Sequence, residues 1–125
     1  MNAQALAFIA NRLSGAGIPY AFMRWEDAEI PEVYFIGEYL ESPTPTREEN
    51  GRQTSTFILR GYTRGSWLLL ENAKAVIESV LPVTTILPDG SGLCILYESA
   101  MPVPTADYEI KSIKIDFNVN EWRVK

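Results

Sequence analysis

The hydrophobic positions of this chain follow two periods, and the helical period occurs twice. Apolar residues recur at i, i+3, i+4 and i+7 from Leu6 to Leu13, after Asn2 as a potential N-cap. A second helical pattern runs from Ser66, whose hydroxyl is suited to capping, to Leu81. Pro82 ends it, because proline disfavours helical geometry in the preceding residue. The pattern predicts an inward stripe of Leu69, Ala73, Val76, Ile77 and Val80.

Six further stretches have the branched and aromatic composition of β-strands. They span residues 18–25, 33–41, 54–63, 83–87, 93–97 and 111–119. The last alternates regularly between apolar and polar residues, so one of its sides faces water. The element order α-β-β-β-α-β-β-β lacks the strand-helix-strand alternation of parallel sheets. We therefore predict an α+β fold, with a mainly antiparallel sheet of about six strands and two helices packed on one face.

The spacing of these elements predicts a single domain over residues 1–125. Between the second and third strands, residues 42–53 (SPTPTREENGRQ) hold two prolines, a glycine and several charges, but nothing that could pack a core. This stretch is longer than a hairpin requires. We predict that it forms a flexible acidic loop.

Composition restricts the chemistry that this chain can perform. Sixteen acidic residues against eleven Lys and Arg give a net charge of −5, which argues against general affinity for DNA or anionic membranes. The chain contains no histidine and one cysteine, Cys94, so Ser-His-Asp or Cys-His catalysis, histidine-bearing zinc sites and an intrachain disulfide framework are excluded. We predict a protein that is not an enzyme and has no cofactor or metal.

Targeting signals are absent from the pattern of apolar runs. No run approaches the roughly 20 residues of a bilayer span, and the apolar residues at the start follow no basic segment. We therefore expect residence in a cytoplasm and no membrane contact.

Acidic residues concentrate between positions 26 and 50, where eight carboxylates face Arg47 alone. A catalytic pair of carboxylates needs burial or a neighbouring charge to separate its two pKa values. Most of these residues fall in predicted turns, where water keeps them ionised. We interpret the region as a solvated acidic surface.

Two places have the residue types of an interaction surface. Arg60, Tyr62 and Arg64 share one side of the third strand and its end, and the net charge makes a nucleic-acid contact less favourable than contact with carboxylates of a neighbouring protein. Trp122 lies in the C-terminal tail NEWRVK, where an aromatic side chain must dock on something or expose its apolar area. We predict interface roles for these four residues.

The order of these elements and several of their sequence segments resemble a known protein family. The leading helix followed by GIPYAF, the strand PEVYFIGEYLE, the Pro-rich tip and the segment from Gly51 to Pro82 (GRQTSTFILRGYTRGSWLLLENAKAVIESVLP) are similar to the small tail-terminator (tail-completion, head-tail joining) proteins of long-tailed bacteriophages and prophages. The resemblance covers nearly the whole chain in element order, and its sharpest part is the polar strand that leads into the second helix.

The resemblance implies a non-enzymatic virion assembly protein. Such a subunit forms a ring, commonly a hexamer, that caps the tail tube and joins it to the head connector, so the expected locations are the host cytoplasm during assembly and the virion tail. If the loop faces the lumen of such a ring, the candidate lumen residues Glu41, Glu48 and Glu49 would repel passing DNA. Two alternatives stay open: a small acidic inhibitor or immunity-type protein that binds another protein, and an α+β small-molecule binding module or carboxylate-based enzyme.

Overall fold

The structure, a computed structural model, describes residues 1–41 and 52–122. Within these residues two helices and six strands follow one another in a fold of the α+β class. They are α1 (Ala3–Gly15), β1 (Tyr20–Phe22), β2 (Val33–Glu41), β3 (Arg52–Thr63), α2 (Trp67–Val80), β4 (Val83–Ile86), β5 (Gly92–Val103) and β6 (Lys111–Trp122).

The six strands form one sheet in the order β1-β2-β3-β6-β5-β4. β1 pairs with β2 in parallel, whereas the other four pairings are antiparallel. The sheet is therefore mixed, which corrects the prediction of a mainly antiparallel sheet. The cause is the segment 23–32, which returns the chain to the end of the sheet where β1 began, so β2 runs in the same direction as β1.

Several element boundaries differ from the predicted ones for local reasons. β1 ends at Phe22 because Met23 takes a positive φ of 72° and the Arg24 amide donates to the Phe22 carbonyl at 2.9 Å, which forms a tight γ-turn. β5 continues past Tyr97, with an irregularity in its register between Tyr97 and Ser99. β3 begins at Arg52, and residues 42–51 of the predicted loop lie outside the described residues.

One face of the sheet, here called the covered face, packs against both helices. The pairs Phe57–Phe117 and Leu59–Ile115 lie opposite each other in β3 and β6, and all four side chains are fully buried. α1 and α2 complete the same hydrophobic cluster, since alternate strand residues and every third or fourth helix residue meet there. The fully buried helical side chains are Ala5, Ile9 and Leu13 of α1, and Leu70 and Ile77 of α2.

The caps and the buried stripe of the helices partly follow the prediction. Asn2 caps α1, since its Oδ1 accepts from the Gln4 amide at 2.6 Å. Ser66 occupies the N-cap position of α2, but its hydroxyl makes no capping hydrogen bond. The predicted stripe of α2 is right for Ile77, which is fully buried, but Leu70 is buried instead of Leu69, and Val76 is exposed.

The opposite face of the sheet, here called the open face, carries neither helix. Its central side chains from β2, β3 and β6 are half-buried, and they include both charged and apolar residues. None of the helices among the described residues is long and apolar enough to span a membrane.

Candidate functional site

Arg60 lies on the open face, where its side chain pairs within the chain. Its Nε donates to Oε1 of Glu38 at 2.9 Å, from β3 to the neighbouring β2, and both side chains are a little over one-third exposed. The sequence analysis favoured contact of Arg60 with carboxylates of a neighbouring protein, and in the structure Arg60 has a carboxylate partner within its own chain.

Tyr62 belongs to a row of three aromatic rings on the open face. Its ring stacks on Tyr34 at 5.4 Å between centroids, and the ring of Trp25 lies 5.3 Å from that of Tyr34, tilted by 52°. The indole Nε1 of Trp25 donates to the carbonyl of Glu29 at 3.0 Å, which fixes the segment that connects β1 to β2. The row thus holds the parallel edge of the sheet in place. The sequence pattern predicted a strand that includes Trp25, whereas β1 ends at Phe22.

Arg64 joins the end of β3 to the turn between β5 and β6. Its Nη1 lies 3.5 Å from a carboxylate oxygen of Asp107 and 3.5 Å from one of Glu109. The Thr105 hydroxyl links parts of this turn, since Oγ1 lies 2.6 Å from the carbonyl oxygen of Asp107 and 2.7 Å from that of Ile110. Between the two carboxylates stands Tyr108, which is 90% exposed.

Tyr108 is a surface feature that the sequence analysis missed. A tyrosine that is held on an ordered turn and exposed to this degree is the residue type that anchors protein interfaces, since it offers large contact area and loses little conformational entropy on binding. The signal in the sequence was the turn segment PTADYE, in which the tyrosine has no apolar neighbour.

Trp122 docks on its own chain. It is the last residue of β6 and pairs with Gly92 of β5, and its half-buried indole occupies the space that a Cβ atom at position 92 would need. Gly92 is therefore required for this packing. The intrachain contact provides the docking that the sequence analysis demanded for Trp122.

The carboxylates of Glu41 and Glu121 hold the start of α1 to the sheet. Glu41 contacts the amino group of Met1, and the buried Glu121 accepts from the backbone amide of Asn2 at 3.2 Å. A negative charge is favourable at this end because it interacts with the helix dipole. The other two candidate lumen residues, Glu48 and Glu49, lie outside the described residues.

The four predicted interface residues do not form one site. Arg60 lies in the middle of the open face, Tyr62 and Arg64 lie at the end of the sheet where β6 begins, and Trp122 lies where β6 ends. The structure therefore separates them into an ion pair, an aromatic row with an adjacent turn, and a packed tryptophan.

One concave surface among the described residues lies beside β1. An open cleft of about 250 Å³ lies between β1 and the following segment, and its lining includes Tyr20, Arg24 and Asp27. Burial raises the pKa of Tyr20 to about 12, so this phenol stays protonated at neutral pH. In the part of the chain that the structure describes, no group of three or more His, Cys, Asp or Glu residues is arranged to hold a metal ion.

Comparison with known proteins gives a structural likeness and no sequence family. No protein-family model and no curated protein sequence is significantly similar to this chain. The fold is similar to that of a chain in the solved virion of a native gene transfer agent particle, with a TM-score of 0.73 and 12% sequence identity. The match covers 98% of this chain and 99% of that chain. The two chains therefore share their fold over essentially their whole lengths.

Proposed function

We propose that this chain is a non-enzymatic structural protein of a phage-like virion, and that it forms a ring that caps the tail tube and joins it to the head connector. The observation that carries the proposal is the full-length likeness of its fold to a chain of a virion particle. The match leaves almost nothing over at either end of the two chains. The resemblance of the sequence to phage tail terminators supports the finer assignment.

The surface of the chain fits a subunit that acts by contact. A ring with head-to-tail contacts needs two different complementary surfaces on each subunit. The turn with Arg64 and Tyr108 projects at one place, and the exposed apolar residues at the sheet edges lie elsewhere. The partners that this function implies are further copies of the chain, the tail-tube protein and the head connector.

Assembly of particles tests the proposed function directly. Particles made without the protein should have tails of uncontrolled length, or tails that fail to join heads, in negative-stain electron microscopy. Purified protein added to such tails should bind at one end as a ring and restore joining to heads. Normal particles in its absence would overturn the proposal.

The arginine pair provides a test at the level of residues. We expect Arg60→Ala with Arg64→Ala to fold normally, because exposed ion pairs contribute only about 0–1 kcal/mol each. The same variant should assemble poorly if the guanidinium groups exchange their intrachain carboxylates for those of a neighbour. Circular dichroism reports folding and sedimentation reports assembly. Full assembly of the variant would remove the two arginines from the interface.

The lumen position of Glu41, Glu48 and Glu49 stays a prediction within this proposal. Carboxylates that line a channel repel DNA phosphates, so Glu48→Lys with Glu49→Lys should slow DNA ejection from assembled particles. Unchanged ejection would reject the lumen assignment and leave the ring in place.

A further inference from the structure

The two edges of the sheet have stepped outlines. β1 pairs only with the segment Phe35–Gly37 of β2, so the outer side of β2 from Glu38 to Glu41 has no strand beside it among the described residues. At the other edge, β4 pairs only with the segment Gly92–Ile95 of β5. The outer side of β5 from Leu96 to Val103 is likewise without a strand in the described part of the chain. Each edge therefore has one protruding strand and one recess.

The protrusion at one edge lies level with the recess at the other. Following the cross-strand pairs through the sheet, the level of β1 corresponds to residues 100–102 of β5, which lie inside the recess. The direction also fits, since β1 runs parallel to β2 and hence antiparallel to β5. A second copy set beside the first in the same orientation thus presents its β1 to the open part of β5. The pairs that define this level run from Phe22 through Gly37, Leu59 and Ile115 to Ala100.

Two rows that cross the sheet end in the same residue types at both edges. One row begins at Tyr39 and ends at Tyr97, which are 37% and 43% exposed. The adjacent row begins at Leu40 and ends at Leu96, which are 65% and 52% exposed. Each edge thus has an exposed tyrosine on the covered side and an exposed leucine on the open side. Apolar ends that match in level are what a contact between successive copies needs.

Met23 lies beside this level and is held in an unusual conformation. Its φ of 72° is uncommon for a residue other than glycine, and its side chain is 62% exposed. Its backbone amide donates to the carbonyl of Gly37 at 2.8 Å, so the turn is fixed to β2. Strained backbone persists where the surrounding structure imposes it, often at functional contacts. Here it places an apolar side chain at the end of the protruding strand.

Charges at the two edges are complementary. Arg24 follows Met23, and among the described residues its ion-pair partner is the nearby Glu26 at 2.9 Å, which is also highly exposed. Glu98 is exposed at the register irregularity of β5, and among the described residues it has no ion-pair partner. Phe22, the residue before Met23, is at the same level of the sheet as Ala100 of β5, and Glu98 lies two residues before Ala100. The protrusion therefore has an exposed arginine beside it, and the recess has an exposed carboxylate.

We propose that successive copies of this chain interlock through these edges, with β1 of one copy antiparallel to the open stretch of β5 in the next. Met23 packs against Tyr97 of the neighbour, and Arg24 pairs with Glu98 of the neighbour. The two surfaces differ, so the contact is head-to-tail, and it closes into a ring when each copy is rotated relative to the last by a whole fraction of a turn. This inference rests on the proposed function, because it names the surface by which the ring forms.

The same edge limits the strength of the contact. Pro102 has no backbone N–H to donate, and a register irregularity and the charged Glu98 interrupt β5, as in strands protected against uncontrolled pairing. Backbone pairing is therefore short, and side chains carry most of the contact. We expect the ring to form at high protein concentration or on the tail tube, which raises the local concentration of subunits.

Edge-blocked variants test the interlocking. Met23→Asp blocks the protrusion, Leu96→Asp blocks the recess, and Leu68→Asp on α2 is the matched control, since Leu68 is equally exposed and lies on a helix. Circular dichroism should show all three folded. In analytical ultracentrifugation each blocked variant should be monomeric, and the control should assemble like the unmodified chain. An equimolar mixture of the two blocked variants has one intact contact, so it should form a species of twice 14.0 kDa and nothing larger.

A charge exchange tests the ion pair. Arg24→Glu and Glu98→Arg should each weaken self-association about tenfold, because each replaces attraction with repulsion at an exposed site. The two substitutions together in one chain should restore self-association. If either residue had only a structural role, the double substitution would not restore it.

The outcomes separate the interlocking from the function on which it rests. Three results would overturn the interlocking but not the proposed ring. They are assembly of the blocked variants, dimers formed by one blocked variant alone, and no rescue by the charge exchange. Interlocking that produces rings unable to bind tail ends would overturn the proposed function alone. A chain that stays monomeric at high concentration and on tail tubes would overturn both.

Discussion

The two faces of the sheet share their strands but differ in how their side chains are satisfied. On the covered face, neighbouring residues such as Phe57 and Phe117 are fully buried against the helices. On the open face, one residue further along the same strands, charges pair within the sheet, as Lys114 does with Asp116 at 3.3 Å. Oδ1 of Asp116 is buried without a hydrogen-bond partner in the described structure. The covered face therefore supplies the apolar core, whereas the open face pairs charges within the sheet.

The largest effect should come from placing a charge on the covered face. We expect Ile77→Asp to unfold the domain, since it buries an unpaired carboxylate at a cost of about 4 kcal/mol or more. Val76→Asp is the matched control, because the neighbouring side chain is exposed. Thermal melts should show no cooperative transition for the first variant and nearly unchanged melting for the second. Equal melting of the two would contradict the difference between the sides of α2.

A smaller contrast should separate two glycines, one on each face. A Cβ at Gly61 would lie 2.3 Å from the fully buried ring of Phe35, and a Cβ at Gly92 would lie 2.0 Å from the half-buried indole of Trp122. We expect Gly61→Ala to cost about 2 kcal/mol, because the buried ring cannot move away. Gly92→Ala should cost about half as much, since the indole can shift toward solvent. Urea unfolding of both variants measures the difference, and a reversed order would refute this account.

The covered face was largely predictable from the sequence, and the edges and the site were not. Alternation in β3 and β6 and helical spacing in α1 identify the buried residues, because burial follows the period of the side chains. The parallel pairing of β1 depends on a turn at Met23, a residue whose type does not indicate positive φ. The partners of Arg60 and Arg64 come from neighbouring elements, so strand pairing had to be known first. Tyr108 lacks any periodic signal.

A still smaller effect should come from the ion pair of the open face. In a double-mutant cycle of Glu38→Gln and Arg60→Met, the coupling energy should be about 0.5 kcal/mol, because both side chains are partly exposed and water screens their attraction. Chemical unfolding at low and high salt measures it, and salt should reduce it further. A coupling above about 2 kcal/mol would mean that the open face contributes to stability as the covered face does.

The smallest effect should appear at the turn between β4 and β5, which belongs to neither face. Hydrogen bonds from the Ser91 hydroxyl and amide to its carboxylate lower the pKa of Asp89. Because the pKa of Asp89 is lower in the folded state, the stability that these hydrogen bonds contribute is fully present above the ordinary carboxyl pKa. It is lost as the pH falls through the lowered pKa of the folded state. The melting difference between the unmodified chain and Asp89→Asn should therefore shrink below about pH 4. A difference that grows on acidification would contradict the sign.

The central pairing of β3 with β6 has a consequence for how the chain reaches this fold. It joins residue 63 to residue 111 and residue 52 to residue 122, whereas the other antiparallel pairs connect consecutive strands. The entropy of closing a long loop must be overcome before such distant contacts contribute favourable energy. The pairing of β3 with β6 should therefore limit the folding rate. We expect Phe57→Leu, at this seam, to slow refolding, and Phe22→Leu, at the outer edge, mainly to speed unfolding. Stopped-flow measurements distinguish the two.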